Sequence, residues 1–275
     1  MNPLAHILQL LPSISLEEMS AVKLMNRTDT KYLLNQQALE ELALRWQGLF
    51  HVQENLGLRT ARYRTLYFDT PDAITYTIHQ NQQLHRQKIR ERIYVESNTC
   101  FLEIKNKVNT GRTKKKRIAI PMEGFGKLYD TPEKRDFLRE RVWVTHEELH
   151  PRLQNAFQRI TLVNRQKSER ITIDSNIQYH NLVTGQDADT TGLVIVEVKQ
   201  DGNCPSDFKR LLLDARIQSH GLSKYCLGML LTDDRIKYNR FKPKVRFVSQ
   251  LIGRPLEIYS LTHKIQSNDN ERAVH

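Results

Sequence analysis

Between Arg86 and Arg117 the sequence carries eleven Lys or Arg residues against three acids, Glu91, Glu96 and Glu103. That is a net of +8 within a chain whose formal charge is +11. In Arg86-Gln-Lys88-Ile-Arg90-Glu-Arg92-Ile-Tyr94 the cations fall on every second residue. Alternate side chains of a β-strand share one face, so Arg86, Lys88, Arg90 and Arg92 are predicted to form a row. After a Ser97-Asn98 turn, Phe101-Leu-Glu103-Ile-Lys105-Asn-Lys107 is again charged at every second position. The residues in between (Ile89, Ile93, Leu102, Ile104) are apolar, as expected of strands whose other face is buried. Two neighbouring strands that aim like charge the same way are costly unless a polyanion or water fills the space between them. The chemistry this spacing suits is anion binding, and the stretch reads as the lining of an anion-binding channel.

The elements that must position these cations are strands, and five of them carry a cation in register: Arg27/Lys31, Arg90/Arg92, Lys105, Arg159 and Lys199. Alternation predicts strands over 26–34, 61–69, 86–94, 101–107, 112–120, 155–164, 169–174 and 193–199. Helical spacing or turn signals place helices over 36–47, 72–84, 206–219 and 222–231, after a helical lead-in over 1–25. Residues 121–151 are broken by Gly124, Gly126, Pro132 and Pro151. About eight alternating strands with helices inserted between them predict an α+β protein. Its core would be an antiparallel β-barrel or deeply curved sheet with the helices outside; parallel strands would be apolar throughout. Arg offers forked donors for phosphate oxygens and Lys a point charge, which suits a flexible phosphate chain. Glu197, with Glu103 as a second candidate, could hold a divalent cation shared with phosphates; pairing with Lys199 and Lys105 or their neighbours is the plain alternative.

With 275 residues, 39% hydrophobic and 27% charged, the chain can bury a substantial core and is not a disordered one. A pI near 9.6 implies an acidic partner. Cys100, Cys204 and Cys226 lack CxxC spacing, so each is expected to be a buried small hydrophobe in a reducing compartment. The N-terminus lacks the pattern of a signal peptide, and no stretch approaches the roughly 20 apolar residues of a membrane span. The expectation is a soluble, cytoplasmic protein. His146-Glu-Glu-Leu-His150 has zinc-protease spacing, but a Thr145/Glu148 capping box and Pro151 would keep that helix too short. Gly124-Phe-Gly126-Lys127 ends like a P-loop, yet position 121 is Pro where the first Gly should stand.

Taken together these segments resemble the VTC domain, the polyphosphate polymerase domain of the vacuolar transporter chaperone complex, in the triphosphate tunnel metalloenzyme superfamily. The matching stretches begin with Arg27-Thr-Asp-Thr-Lys31-Tyr32, Leu66-Tyr-Phe-Asp69-Thr, Lys88-Ile-Arg90-Glu-Arg92-Ile-Tyr94 and Phe101-Leu-Glu103-Ile-Lys105. They continue, in family order, with Lys115-Lys-Arg117, Phe157-Gln-Arg159, Glu169-Arg170-Ile-Thr-Ile-Asp174, Val196-Glu197-Val-Lys199 and Ser223-Lys224-Tyr225. The resemblance implies a tunnel domain over 26–232, between the lead-in over 1–25 and a tail over 233–275 that reads as basic, then polar, with its last ten residues expected to be disordered.

For the site, the resemblance implies that Arg90, Arg92, Arg159 and Arg170 act on the transferring phosphoryl group. Lys31, Lys105, Lys115, Lys199 and Lys224 would bind phosphates, and Glu197 would bind Mn²⁺ or Mg²⁺; Tyr32 and Tyr94 would be structural. Phe157 stands where the family often has Tyr, and Arg27-Thr-Asp29-Thr-Lys31 replaces the ExExK opening of related triphosphatases. The implied activity is an ATP-dependent, metal-dependent phosphotransferase that extends polyphosphate. A triphosphatase, or a polyphosphate- or inositol-phosphate-binding module without turnover, stays open. The implied partners are ATP and polyphosphate or another triphosphate, with no nucleic acid. A membrane-protein partner is also implied, since the eukaryotic complex moves its product across a membrane.

Overall fold

The structure is a computed structural model that describes residues 3–20, 27–109, 113–202 and 204–258. The strands are β1 (Ser13–Ile14), β2 (Arg27–Asn35), β3 (Phe50–Gln53), β4 (Ala61–Asp69), β5 (Arg86–Tyr94) and β6 (Thr99–Lys107). They continue with β7 (Thr113–Ile120), β8 (His150–Asn164), β9 (Glu169–Asn181), β10 (Asp187–Asp189) and β11 (Leu193–Asp201). The helices are α1 (Pro3–Leu10), α2 (Leu16–Ser20), α3 (Gln36–Ala43) and α4 (Ile74–Gln80), then α5 (Pro132–Arg141), α6 (Asp207–Asp214), α7 (Lys224–Thr232) and α8 (Lys242–Ile252). Hydrogen-bonded neighbours follow the order β2-β11-β9-β8-β4-β5-β6-β7, and the pairs along it for which register is defined are antiparallel. The α+β class and the eight-strand antiparallel path are those expected from the sequence.

Two compact units share this chain. The first gathers the described residues of Met1–Arg62, Phe157–Ile177 and Thr190–Leu222. Its core takes Val194, Val196 and Val198 from β11, Ile171 and Ile173 from β9, and Leu34 from β2. Trp46, Phe50 and Phe208 close it, with ring centroids 5.7 and 6.1 Å apart. Each such fully buried side chain contributes roughly 1.5–3 kcal/mol. Because the alternate residues of β11 are buried this way, Glu197 and Lys199 are turned to the opposite face. Asn35 caps α3 by accepting from Ala38 N at 2.9 Å. That helix ends at Ala43 instead of the expected 47, because successive i→i−3 bonds (Arg45 N to Leu42 O, Trp46 N to Ala43 O) tuck Trp46 into the core. Likewise α6 stops at Asp214 rather than 219: Arg216 adopts φ 56°, and Ile217 N bonds back to Leu212 O at 2.8 Å.

The second unit gathers the described residues of Tyr63–Ala156, Gln178–Asp189 and Ser223–His275. Its core joins Phe68, Ile89, Ile93, Leu102 and Ile104 to Phe137 and Leu138 of α5. One charged residue lies on that buried face of β5. Glu91 is fully buried, pairs with Lys134 Nζ at 3.1 Å and accepts from Gly126 N at 2.6 Å. Lys134 in turn donates to the Gly124 and Lys127 carbonyls at 2.6 and 2.9 Å. The Gly124–Lys127 loop is therefore a cradle for a lysine ammonium and not for a phosphate. Gly126 has φ +85°, and a Cβ at Gly124 would meet Asp130 Oδ2 at 2.8 Å. This ion pair went unread in the sequence, where Lys134 is one charge in a charged helix.

Several local expectations change. Residues 146–148 form a single 3-10 turn without a Thr145 side-chain cap, and His150 opens β8, so the two histidines share no helix face. Pro151 sits near the start of β8, where a strand tolerates proline. Cys100 and Cys226 are buried as expected, but Cys204 is exposed, because it lies in the loop between β11 and α6. The region from 233 is more than a tail: a 3-10 turn (Asn239–Phe241) leads into α8, which buries Val245 and Val248. Residues 21–25 of the lead-in and 259–275, including the end expected to be disordered, lie outside the described residues. No helix among the described residues is long and apolar enough to cross a membrane.

Candidate functional site

In the second unit the cations converge on one carboxylate. Arg90 on β5 is directly opposite Glu103 on β6 and gives both Nε (2.8 Å) and Nη2 (2.6 Å) to Glu103 Oε2. Lys115, one strand further on β7, reaches Oε1 at 3.0 Å, and Arg92 Nη1 is 4.0 Å from Oε2. The Glu103 side chain is 0% exposed. Burial pushes its pKa up, but Arg90, Arg92 and Lys115 outweigh burial and hold it well below the usual carboxylate range. Glu103 is thus held in its ionised form and fixes Arg90 in place. Glu103 pairs with Arg90 and Lys115, and Lys115 stands opposite the Lys105 considered from the sequence.

Cations around that pair outnumber it. Lys88 stands opposite Lys105, Arg86 opposite Lys107, and Lys105 opposite Lys115. Like charges directly across strands are unfavourable unless something anionic answers them. Two further residues belong here. Thr65 Oγ1 accepts from Arg92 Nε at 3.1 Å, and Tyr67 lies opposite Arg90 in the β4–β5 register. Burial would raise the Tyr67 phenol, yet Arg90, Arg92 and Lys224 outweigh it and leave its pKa lowered. Lys224 opens α7, whose next residue, Tyr225, stacks on Tyr67 at 5.0 Å and donates to buried Asp69 at 2.5 Å. Asp69 also accepts from Thr75 N, Thr75 Oγ1 and Tyr76 N, so it anchors α4 and α7 together.

In the first unit the site face is built by β2, β11, β9 and β8. Glu197 is opposite Lys31 on β2 and Thr172 on β9, and Lys199 is opposite Asp29 and Arg170. Lys199 Nζ lies 2.7 Å from Glu197 Oε2 and 2.9 Å from Thr172 Oγ1. Burial, with Arg159 adding to it, lowers the Lys199 pKa against the pull of Glu197. Arg159 forks onto Asp174 through Nε (2.5 Å) and Nη2 (2.7 Å), and its guanidinium lies over the Phe157 ring at 5.3 Å. Phe157 therefore supports Arg159 with a ring face where a tyrosine would add a hydroxyl. Lys31 donates to Leu222 O at 3.2 Å, and Arg170 to Met19 O at 2.7 Å. Burial is the main cause of Arg170's lowered pKa, and Arg27 adds to it.

The structure thus groups Arg90, Arg92, Lys105, Lys115 and Lys224 in one unit and Lys31, Arg159, Arg170, Lys199 and Glu197 in the other. Tyr32 is buried in the first core, and Tyr94 packs edge-on against Tyr63 and Phe101. Asp174, Thr65, Tyr67 and Asp69 were not singled out in the sequence. Period-2 alternation alone would have put Arg170, Thr172 and Asp174 on one face.

Among the described residues no three His, Cys, Asp or Glu side chains converge as a metal cage. Glu197, 18% exposed and paired with Lys199 through Oε2, offers a single carboxylate. That suits a magnesium-type ion, which keeps waters and arrives with phosphates, rather than one caged by protein alone.

Solved structures similar to this chain include a candidate adenylate cyclase from Bacillus halodurans, with 16% identity and TM-score 0.47 over 79% of this chain and all of that one. A candidate adenylyl cyclase from Hippeastrum, with a dominant triphosphatase activity, matches at 15% identity and TM-score 0.44, over 74% of this chain and 94% of that one. A candidate adenylate cyclase from Vibrio parahaemolyticus matches at 12% and 0.42, over 74% and 99%. No curated protein matches the chain. The VTC domain family model matches residues 26–232, the span holding every candidate site residue above, and the chain therefore belongs to the VTC domain family.

Proposed function

We propose that this protein is a polyphosphate polymerase that transfers the γ-phosphoryl group of ATP to the end of a growing polyphosphate chain. An oxygen of the terminal phosphate attacks the γ-phosphorus, the bond to the β-phosphate oxygen breaks, and ADP leaves. The acceptor is anionic at neutral pH, so no protein base is needed. The observation that carries this reading is the excess of cations around one buried carboxylate, Glu103, held by Arg90 and Lys115. Phosphoryl transfer depends on positioning and charge neutralisation, which such a lining supplies. Arg90, Arg92, Arg159 and Arg170 neutralise the transferring group, and Lys31, Lys105, Lys115, Lys199 and Lys224 hold the phosphates. Glu197 would hold Mn²⁺ or Mg²⁺, which would supply charge neutralisation to the bound phosphates. Glu103, with Arg90 on one oxygen and Lys115 on the other, positions cations. Asp29, paired with Arg27 at 2.7 Å, sits in β2 where a triphosphatase of this superfamily would open with glutamates, which favours transfer over hydrolysis.

The test is purified protein with Mn²⁺ and ATP, and separately tripolyphosphate, with products resolved by chain length. Long chains and ADP are expected. Orthophosphate without chains would assign the hydrolase instead, and tight binding without ADP a sensor.

Two further outcomes are expected. Glu197→Gln raises the Mn²⁺ concentration for half-maximal turnover by at least about ten-fold; a superimposable metal titration would remove Glu197 as a ligand. The second concerns pH. Lys199 has a folded pKa below the ordinary lysine value, so its charge is intact below that lowered pKa and is lost as pH rises through it. Tripolyphosphate affinity should therefore fall on the alkaline side before about pH 10.5. In Lys199→Arg that limb moves up; the same limb in both proteins would assign it elsewhere.

A further inference from the structure

In the second unit the cationic row of β5 does not end at Arg90. Lys88 donates to Ser223 Oγ at 2.9 Å, and the same hydroxyl caps α7 by accepting from Cys226 N at 3.2 Å. Cys226 Sγ lies 3.1 Å from His79 Nδ1, and His79 packs edge-on against the Phe241 ring. Lys244 Nζ sits 5.6 Å from that ring's centroid. Contacts thus lead from Lys88, beneath the surface through buried Cys226 and Phe241, to the first turn of α8, where Lys244 is exposed. Lys88, Arg86 and Lys244 all act electrostatically on the buried Cys226 thiol. The 3-10 turn before α8 borders a cleft of about 500 Å³ lined by Arg235, Lys237 and Arg240 with Gln80 and Asn81. Residues 235–246 contain six cations and no acid, and all six are exposed.

We propose that this surface, from Lys88 and Arg86 over Lys244 into the cleft at Lys237 and Arg240, is a second phosphate-binding site that holds the distal part of a linear polyphosphate chain. The inference rests on the phosphate reading of the Arg90–Glu103 cluster, from which the row continues. A phosphate chain fits better than single-stranded nucleic acid, which relies on open aromatic faces for stacking. Here Tyr76 and Phe241 are buried, and Tyr238 is half-buried with Lys242 Nζ 4.8 Å from its ring. Around the cleft, charge without an open aromatic face favours repeated phosphates; the exposed aromatic surface near Arg86 is Trp143, whose ring is stacked on His85 at 3.9 Å.

The experiment compares binding of tripolyphosphate and of long-chain polyphosphate to the full chain and to Lys237→Glu/Lys242→Glu/Lys244→Glu. New glutamates at the start of α8 suit its dipole, so the variant should fold; a Lys→Gln triple variant, with Tm measured for both, is the control. The wild type is expected to bind long chains at least about ten-fold tighter per chain than tripolyphosphate, with a steeper salt dependence. The charge-reversed variant loses that preference and keeps its tripolyphosphate affinity. An unchanged long-chain preference in both variants overturns the proposal, as does competition by oligouridylate equal to that by polyphosphate. If the wild type fails to bind tripolyphosphate at all, the reading of the Arg90–Glu103 cluster fails first, which is a separate result.

Discussion

Arg159→Lys is expected to lower turnover by about 10²–10³-fold, with Arg90→Lys close behind. Lysine keeps the charge and loses the fork, so on the proposed mechanism what would disappear is the planar guanidinium that donates to the buried carboxylate and to the transferring phosphoryl group together. The lysine variants are chosen over alanine for a structural reason. Asp174 is 4% exposed and Glu103 0%, and each is held by the arginine in question. An alanine would leave a buried carboxylate short of its partner, at a cost of about 3–5 kcal/mol when the pair is broken outright. Loss of activity would then be mixed with loss of fold. With lysine in place, thermal unfolding should stay near wild type while turnover of ATP into polyphosphate collapses. Activity within about three-fold of wild type in both variants would take the two arginines out of the transfer step.

The largest expected effect on stability lies on the other side of β5. Lys134→Met should destabilise the protein by about 3–5 kcal/mol, because it strands the Glu91 carboxylate in the core of the second unit. Burial already pushes the Glu91 pKa up, with Lys134 and Gly126 N pulling against it. Without Lys134 the folded-state pKa rises further above the unfolded value near 4.5. Folding then binds a proton, so the deficit is small near the unfolded pKa and grows as pH rises through the folded one. Denaturant unfolding at about pH 5 and about pH 7.5 should show that widening gap. Glu91→Gln added to Lys134→Met should recover part of the loss and flatten the pH dependence. A deficit that is equal at both pH values, or that Glu91→Gln fails to relieve, would show that the pair does not carry this energy.

The contrast between Arg90 and Lys134 separates what can be read along a chain from what cannot. Arg86, Lys88, Arg90 and Arg92 were legible because strand geometry has a fixed period of two, and Ile89 and Ile93 fill the alternate positions. The same rule placed Glu197 and Lys199 opposite the valines of β11. Nothing local distinguishes Lys134 from Arg135 or Arg139 in α5, although Lys134 is buried and Arg139 exposed. Burial of a charge depends on which carbonyls and carboxylates the rest of the fold brings to it, here Gly124, Lys127 and Glu91.

The sequence by itself determined which faces of which strands are basic, since alternation is a property of the backbone alone, and that is what supports the anion-binding reading. It also specified the family, through motifs spread from Arg27 to Tyr225. Only the tertiary structure decided how those cations are held: Arg90 and Lys115 by Glu103, Arg159 by Asp174, and Lys224 on a helix whose Tyr225 is tied to Asp69. Those partners lie 12 to 156 positions apart. Strand register and chain closure select them, and neither has a local period to read.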